Sequence, residues 1–157
     1  MLRIGKLTDY ATVLMTCLAG RPGEVLAASE LAEHARLEMP TVSKLLKQLA
    51  CAGLVESRRG IHGGYRLARS ADQISILQIV VALEGPLGMT ECSAVQGSCG
   101  HEPHCRVQGN WRRISRVIES ALASVSLAQM LQPDGSAQAT ARGAIQPQVA
   151  PLRAAAV

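Results

Sequence analysis

Residues 40–51, PTVSKLLKQLAC, decide the fold of this chain. Apolar side chains recur there at intervals of three and four, so that they share one face of a helix. These apolar residues are Val42, Leu45, Leu46 and Leu49. The opposite face is polar or basic and carries Thr41, Ser43, Lys44, Lys47 and Gln48. Short hydrogen-bonding side chains near a helix N-terminus, followed by cations, are suited to base edges and phosphates of DNA.

The sequence on either side of this helix predicts a winged helix-turn-helix. A shorter helical pattern begins at Ser29, and a tight turn separates it from the helix of residues 40–51. Residues 54–59 and 65–68 are predicted as two short strands, and GIHGG (60–64) supplies glycines for the hairpin tip. Arg58, Arg59 and His62 on this hairpin suit the negative potential of a minor groove.

Three further helices are predicted. The first begins with Thr8 as its N-cap, and another runs from Ser75 to Leu83. The last begins with Asn110 as its N-cap and continues for about 22 residues, or about 33 Å. Its apolar stripe comprises Trp111, Ile114, Ile118, Ala121, Val125 and Ala128. This stripe is longer than the small domain can cover, which predicts a C-terminal dimerisation helix and a homodimer.

Composition agrees with a mainly α fold. The chain has 157 residues, and aromatic residues make up only 2%, so the core depends on Leu, Val, Ile, Ala and Met. Predicted boundaries give a DNA-binding domain (1–84), a cysteine-containing loop (85–109), the dimerisation helix (110–131) and a disordered tail (132–157). No apolar run is long enough for a membrane span and no cleavage site follows residues 10–20, so a cytoplasmic location is expected.

Three of the five cysteines lie in the loop: Cys92, Cys99 and Cys105. Their spacing is neither the Cys-x-x-Cys of a zinc ribbon nor the tight run of a bacterial ferredoxin. Three thiolates on a loop can still bind iron and sulfide and leave one position for another ligand. The residues alone also allow unligated thiols, a reversible disulfide, or a Cys₃His zinc site with His101 or His104. Cys17 and Cys51 are expected to be small core residues.

An enzyme is the rival class of function, for example a small thiol oxidoreductase using Cys99 or Cys105. The sequence has no Cys-x-x-Cys motif, no nucleotide-binding glycine pattern and no carboxylate pair to support catalysis. A formal net charge of +4, with arginines concentrated between residues 53 and 70, favours a DNA partner. We therefore expect neither enzymatic activity nor a small-molecule substrate.

Several short stretches together resemble a known family. They are LRI (2–4), LTDYA (7–11), PTVSKLLK (40–47), RGIHGGYRL (59–67), ALEGP (82–86), TEC (90–92) and NW (110–111). In combination they resemble the Rrf-two (Rrf2) family of winged-helix regulators, most closely the branch that regulates SUF-system iron–sulfur cluster assembly. The resemblance extends from residue 1 to about residue 131.

The resemblance implies a homodimer with an iron–sulfur cluster on Cys92, Cys99 and Cys105. Regulators of iron–sulfur assembly in this family have a histidine three residues after the last cysteine, where this chain has Gln108. Nitric-oxide-sensing members use an aspartate of the partner subunit, and Asp9 occupies the matching position, although it also suits the N-terminus of a helix. The candidates for the fourth ligand are therefore Asp9 of the partner subunit, His104 and His101. A 2Fe-2S cluster is favoured over a 4Fe-4S cluster.

The implied function is a DNA-binding repressor that senses iron–sulfur cluster status, redox state or nitric oxide and controls iron–sulfur assembly genes. Gain or loss of the cluster would reorder the loop and change the spacing of two recognition helices on a palindromic operator in double-stranded DNA. The alternative is a winged-helix regulator without a cluster, switched by thiol oxidation or by zinc.

Overall fold

The computed structural model describes residues 3–60 and 63–132. Its helices and strands are, in chain order, α1 (Lys6–Ala19), α2 (Ala28–Ala35), α3 (Met39–Cys51), β1 (Val55–Arg58), β2 (Gly64–Leu67), α4 (Ile76–Glu84), α5 (Glu91–Ala94) and α6 (Gln108–Ala123). Short 3₁₀ turns lie at Ala71–Gln73, Glu102–His104 and Gln129–Leu131. The predicted mainly α, winged helix-turn-helix architecture is confirmed. The tail predicted for 132–157 lies outside the described residues except for Gln132.

Helix α3 forms the centre of the core, as its apolar periodicity predicts. Pro40 lies in its first turn, where no N–H is required. All four residues of the predicted apolar face are fully buried: Val42, Leu45, Leu46 and Leu49. They pack with Leu14 of α1 and Ile79 of α4, which are also inaccessible to solvent. Burial of this face fixes the rotation of α3 and leaves its polar face outside.

The wing is a two-stranded antiparallel sheet in which Val55 pairs with Leu67 and Arg58 pairs with Gly64. Leu26, which precedes α2, exchanges two backbone hydrogen bonds with Tyr65, at 2.8 and 2.9 Å between nitrogen and oxygen. A Cβ atom at Gly64 would collide with the Leu26 carbonyl, so glycine is needed at this close approach. The wing is thereby tied to the helical core. Its predicted tip residues Ile61 and His62 lie outside the described part of the chain.

Helix α4 begins at the predicted position. The Ser75 hydroxyl accepts a hydrogen bond from the Gln78 backbone N–H at 3.3 Å, and the Gln78 side chain accepts one from Ser75 N–H at 3.0 Å. This reciprocal pair is a capping box, which satisfies two backbone donors at the helix N-terminus.

Helix α1 begins three residues earlier than predicted, with Gly5 instead of Thr8 as the N-cap residue. The prediction of Thr8 as N-cap is wrong, because its hydroxyl donates a 2.6 Å hydrogen bond to Oε1 of Glu84. The Gly5 backbone N–H donates to the same carboxylate oxygen at 2.8 Å. Glu84, the last residue of α4, therefore fixes the start of α1.

The final helix is shorter than predicted. Helix α6 begins at Gln108 after Val107, so Asn110 is not its N-cap, and it ends at Ala123 after 16 residues, or about 24 Å. The chain then turns back: the Ile76 N–H donates to Val125 at 2.9 Å, and the Leu127 N–H donates to Ile74 at 2.7 Å. Leu127 is fully buried, so the end of the predicted stripe joins the core instead of extending a helix. Among the described residues, no helix combines the length and apolar character that crossing a membrane requires.

Replacement of Leu127 by alanine tests this return to the core. We expect Leu127→Ala to lower the free energy of unfolding by about 2–5 kcal/mol, because it leaves a cavity among fully buried side chains. Urea denaturation followed by circular dichroism, at one fixed protein concentration, measures the change. The matched control is Leu131→Ala, whose side chain is 43% exposed and which we expect to cost less than half as much. Equal losses in the two variants would contradict the placement of Leu127.

Candidate functional site

The polar face of α3 is open to solvent over most of its length. Ser43, Lys44 and Lys47 are exposed, and Thr41 is half-buried. This arrangement follows from the helical period, because the apolar residues between these positions are turned into the core. Hydroxyl and ammonium groups on one exposed face can form hydrogen bonds with base edges and neutralise phosphates.

Gln48 differs from the other predicted residues of α3. Its Oε1 atom is buried and has no hydrogen-bond partner among the described residues. The side chain lines a groove of about 390 Å³ together with Lys47, Cys51 and Ala82, a residue of α4. Gln48 thus lies at the edge of the exposed face, next to α4.

The wing presents two arginines without a competing acid. Arg58 ends β1 and Arg59 follows it, and both are exposed. The one carboxylate of this hairpin, Glu56, accepts two hydrogen bonds from Arg66, at 2.9 Å from Nε and 2.7 Å from Nη2. Because Arg66 already neutralises Glu56, the charges of Arg58 and Arg59 remain available to an anionic ligand.

The loop between α4 and α6, residues 85–107, is here called the cysteine segment. It was expected to have no regular structure, but it contains the one-turn helix α5 and a 3₁₀ turn at Glu102–His104. Cys92 lies in α5 and is buried, with its sulfur 3.3 Å from the Thr90 hydroxyl. Cys99 and Cys105 are half-buried, and all five cysteines are free thiols.

The structure does not bring the predicted metal ligands together. Within residues 3–60 and 63–132, no group of three or more His, Cys, Asp or Glu side chains is placed to hold a metal ion. The alternative ligands His101 and His104 are exposed, as is Asp9 in the first turn of α1.

A carboxylate and a guanidinium fasten the cysteine segment to α6. Glu102 Oε2 accepts the Gly97 N–H at 2.6 Å, while its Oε1 accepts from Nη2 of Arg112 at 2.5 Å and from the Gln108 side chain. Arg112 Nε also donates to the Cys92 carbonyl at 3.3 Å. Sequence reasoning missed Glu102 and Arg112, because they lie ten residues apart across an irregular segment and belong to no periodic pattern.

Helix α6 keeps an uncovered apolar face. Trp111, Ile114 and Val117 are 36%, 42% and 56% exposed. Ile114 and Val117 line an open groove of about 370 Å³ with Ile118, Asn110 and Arg113. Ser115 is the one buried residue of this helix, and its hydroxyl accepts the Met89 N–H at 3.1 Å.

The two remaining cysteines, Cys17 and Cys51, differ in burial. Cys51 ends α3 and is exposed, so its prediction as a core residue is wrong. Cys17 is half-buried against the core, and desolvation raises the pKa of its thiol, with partial opposition from the positive charge of Arg21. Neither belongs to the cysteine segment.

The sequence matches the Rrf2 family, described as an iron-dependent transcriptional regulator, over residues 4–133. A putative HTH-type transcriptional regulator from Neisseria meningitidis is 35% identical over 104 residues, which cover 66% of this chain and 70% of the relative. The HTH-type regulator NsrR of Shouchella clausii is 30% identical over 125 residues, 78% of this chain and 79% of the relative.

Solved structures give the same result. IscR of T. potens superposes with a TM-score of 0.63 at 29% identity and covers 90% of this chain and 94% of its own. CymR, the global cysteine regulator of B. subtilis, has a TM-score of 0.66 at 29% identity, with 83% and 97% covered. The chain therefore belongs to the Rrf2 family of transcriptional regulators, which bind DNA and are not enzymes.

Proposed function

We propose that this regulator is a homodimeric repressor whose DNA binding depends on an iron–sulfur cluster held by Cys92, Cys99 and Cys105. The observation that carries the proposal is the position of three free thiols on one segment, which connects the winged domain to a helix with an uncovered apolar face. The family description as iron-dependent supports iron as the metal. The resemblance to SUF regulators supports iron–sulfur assembly genes as the targets.

The donor set suits such a cluster. Thiolates are the usual protein ligands of iron and sulfide, and none of the three thiols is consumed by a disulfide. Asp9 of the partner subunit, His101 and His104 remain the candidates for the fourth ligand, and we favour a 2Fe-2S cluster over a 4Fe-4S cluster. When bound, such a cluster supplies a centre that oxidants, nitric oxide or iron shortage can alter. Gln108 is no candidate, since a neutral amide is a poor ligand for iron.

The chain's own residues would read the operator from two surfaces. Thr41, Ser43 and Lys44 lie in the N-terminal half of α3, from which side chains reach base edges in a major groove. Lys47 follows one turn later and would contact phosphate, whereas Gln48 lies at the edge next to α4. Arg58 and Arg59, together with the predicted contact His62, extend the surface along the wing.

Homodimerisation would supply the second reading head. The apolar face of α6 needs a cover, and an isologous pairing of two copies gives each α6 the same partner surface. Two recognition helices related by a twofold axis match a palindromic site in double-stranded DNA.

The second candidate is a regulator of the same fold without a cluster, switched by thiol oxidation or zinc. The likeness to CymR of Staphylococcus aureus, which has a solved structure described as its oxidized form, supports thiol oxidation as the switch. Metal analysis distinguishes the two candidates, because a zinc protein is colourless and an iron–sulfur protein absorbs visible light.

The first test is removal of all three thiols. We expect wild-type protein, purified without oxygen, to contain iron and sulfide, and the Cys92→Ala, Cys99→Ala, Cys105→Ala variant to lose both, because its principal ligands are absent. Iron and sulfide quantitation with visible absorption measures this. A Cys17→Ala, Cys51→Ala variant is the matched control and should keep the wild-type iron content. Equal iron in the triple variant and the wild type would refute the assignment.

The second test concerns the basic surface. We expect Lys47→Ala and Arg58→Ala each to weaken binding to a random-sequence duplex and to reduce the slope of log K against log salt by about 0.9, because each removes one cation from the DNA-facing surface. Fluorescence anisotropy over a salt series gives the slope. Arg116→Ala, which removes an exposed arginine of α6, should leave the slope unchanged. If all three variants gave the wild-type slope, the proposed surface would be wrong.

The third test is directed at the apolar face of α6. We expect Val117→Arg to weaken dimerisation at least tenfold, or by about 1.4 kcal/mol, because an unpaired charge would enter a dry interface. Sedimentation equilibrium measures the dimer dissociation constant. Ala123→Arg places the same side chain at an exposed position about 120° round α6 from Val117 and should not affect assembly. A wild-type dissociation constant for Val117→Arg would place the interface elsewhere.

A further inference from the structure

We infer that Arg112 is a positioning residue that couples the state of the cysteine segment to α6 through its ion pair with Glu102. The inference rests on the proposed function, since the cluster supplies the signal that the ion pair would transmit. Arg112 and Glu102 belong neither to the proposed cluster ligands nor to the proposed DNA-contacting residues.

The guanidinium of Arg112 contacts two parts of the segment. Nη2 lies 2.5 Å from Glu102 Oε1, and Nε lies 3.3 Å from the carbonyl oxygen of Cys92. One side chain of α6 thereby fastens both the helix that carries Cys92 and the turn that follows Cys99. Movement of either part changes the surroundings of Arg112.

Partial burial of the Arg112–Glu102 ion pair makes it unfavourable for either charge to lose its partner. The Glu102 side chain is 14% exposed and that of Arg112 is 34% exposed, so the pair is better shielded from water than the Arg66–Glu56 pair of the wing. A shielded carboxylate that loses its cation keeps its desolvation penalty. The segment therefore favours either the paired arrangement or one in which Glu102 moves out to water.

Glu102 is placed where metal binding acts. It lies three residues after Cys99 and three before Cys105, and its other carboxylate oxygen holds the Gly97 N–H at 2.6 Å. In the described structure these thiols belong to no group placed to hold a metal ion, and ligation by both Cys99 and Cys105 would act on the short turn between them. Displacement of that turn separates Glu102 from Arg112.

The other end of the ion pair lies beside the apolar face of α6. Arg112 follows Trp111 and precedes Ile114 by two residues. The start of the segment is held differently, through the Met89 N–H and the hydroxyl of buried Ser115. The Met89–Ser115 attachment is thus a neutral hydrogen bond, whereas the Glu102–Arg112 attachment is an ion pair. The ion pair is the attachment that metal binding would disturb.

The test compares Arg112→Gln and Glu102→Gln with wild type, using the operator selected by the wild-type protein from a random duplex library. Both variants keep the three cysteines, so we expect iron and sulfide contents equal to wild type. We expect the ratio of operator affinities between iron-loaded and iron-free protein to fall at least fivefold, a typical size for lost coupling. Arg112→Lys, which retains the charge, should recover most of the ratio. Arg116→Gln, one turn further along α6, is the control and should keep it.

Amide hydrogen exchange of the iron-free proteins gives a second readout. We expect the Gly97 amide to exchange about tenfold faster in both glutamine variants, because its acceptor carboxylate is replaced by an amide in Glu102→Gln and loses its cationic partner in Arg112→Gln. The inference would be overturned if Gly97 exchanged at the wild-type rate in the variants. It would also be overturned if the variants bound iron and kept the wild-type ratio of operator affinities between iron-loaded and iron-free protein. Either result would leave the cluster assignment intact. A wild-type protein that takes up no iron would overturn the proposed function and the coupling with it.

Discussion

Burial of one face of α3 is the constraint on which the DNA-reading surface depends. Val42, Leu45, Leu46 and Leu49 are fully enclosed by side chains of α1 and α4, and a rotation of the helix would expose some of them. Because the rotation is fixed, the residues between them point outward as a set. The same core holds Leu54 and Val55, where the wing begins. The recognition helix and the wing are therefore placed by one packing arrangement.

Periodicity made the winged domain predictable from sequence. The helical spacing in α3 and the glycines of the hairpin are local signals, and local backbone structure follows them. Thr8 was misassigned because its partner, Glu84, is 76 residues away and no local pattern reveals the contact. The length of α6 was overestimated for a similar reason. Val125 and Leu127 fit a helical stripe, but hydrogen bonds to Ile76 and Ile74 draw them back to the core.

In the candidate site, too, local patterns predict some features and distant contacts determine the others. Exposure of Ser43, Lys44, Arg58 and Arg59 follows from helical and hairpin patterns, whereas the inward turn of Gln48 depends on where α4 packs. The thiols of the cysteine segment were recognisable by residue type alone. Their arrangement was not, because an irregular segment takes its shape from scattered polar contacts such as those of Glu102. Spacing identifies a donor set, but it does not give the distances between the donors.

The ends of the cysteine segment determine where a rearrangement can go. Glu84, the residue before the segment, accepts hydrogen bonds from Gly5 and Thr8 at the start of α1, so this end of the segment is fixed to the winged domain. Beyond α6, Leu127 is buried in the core and anchors the chain again. Between these anchors α6 buries only Ser115, and its polar attachments to the segment are made from its N-terminal half, by Gln108, Arg112 and Ser115. A change in the segment is therefore absorbed most easily by tilting this half of α6, which carries the exposed Trp111 and Ile114. In the proposed homodimer a paired copy would contact that face, so a local change at the cysteines would alter the relative placement of the two winged domains.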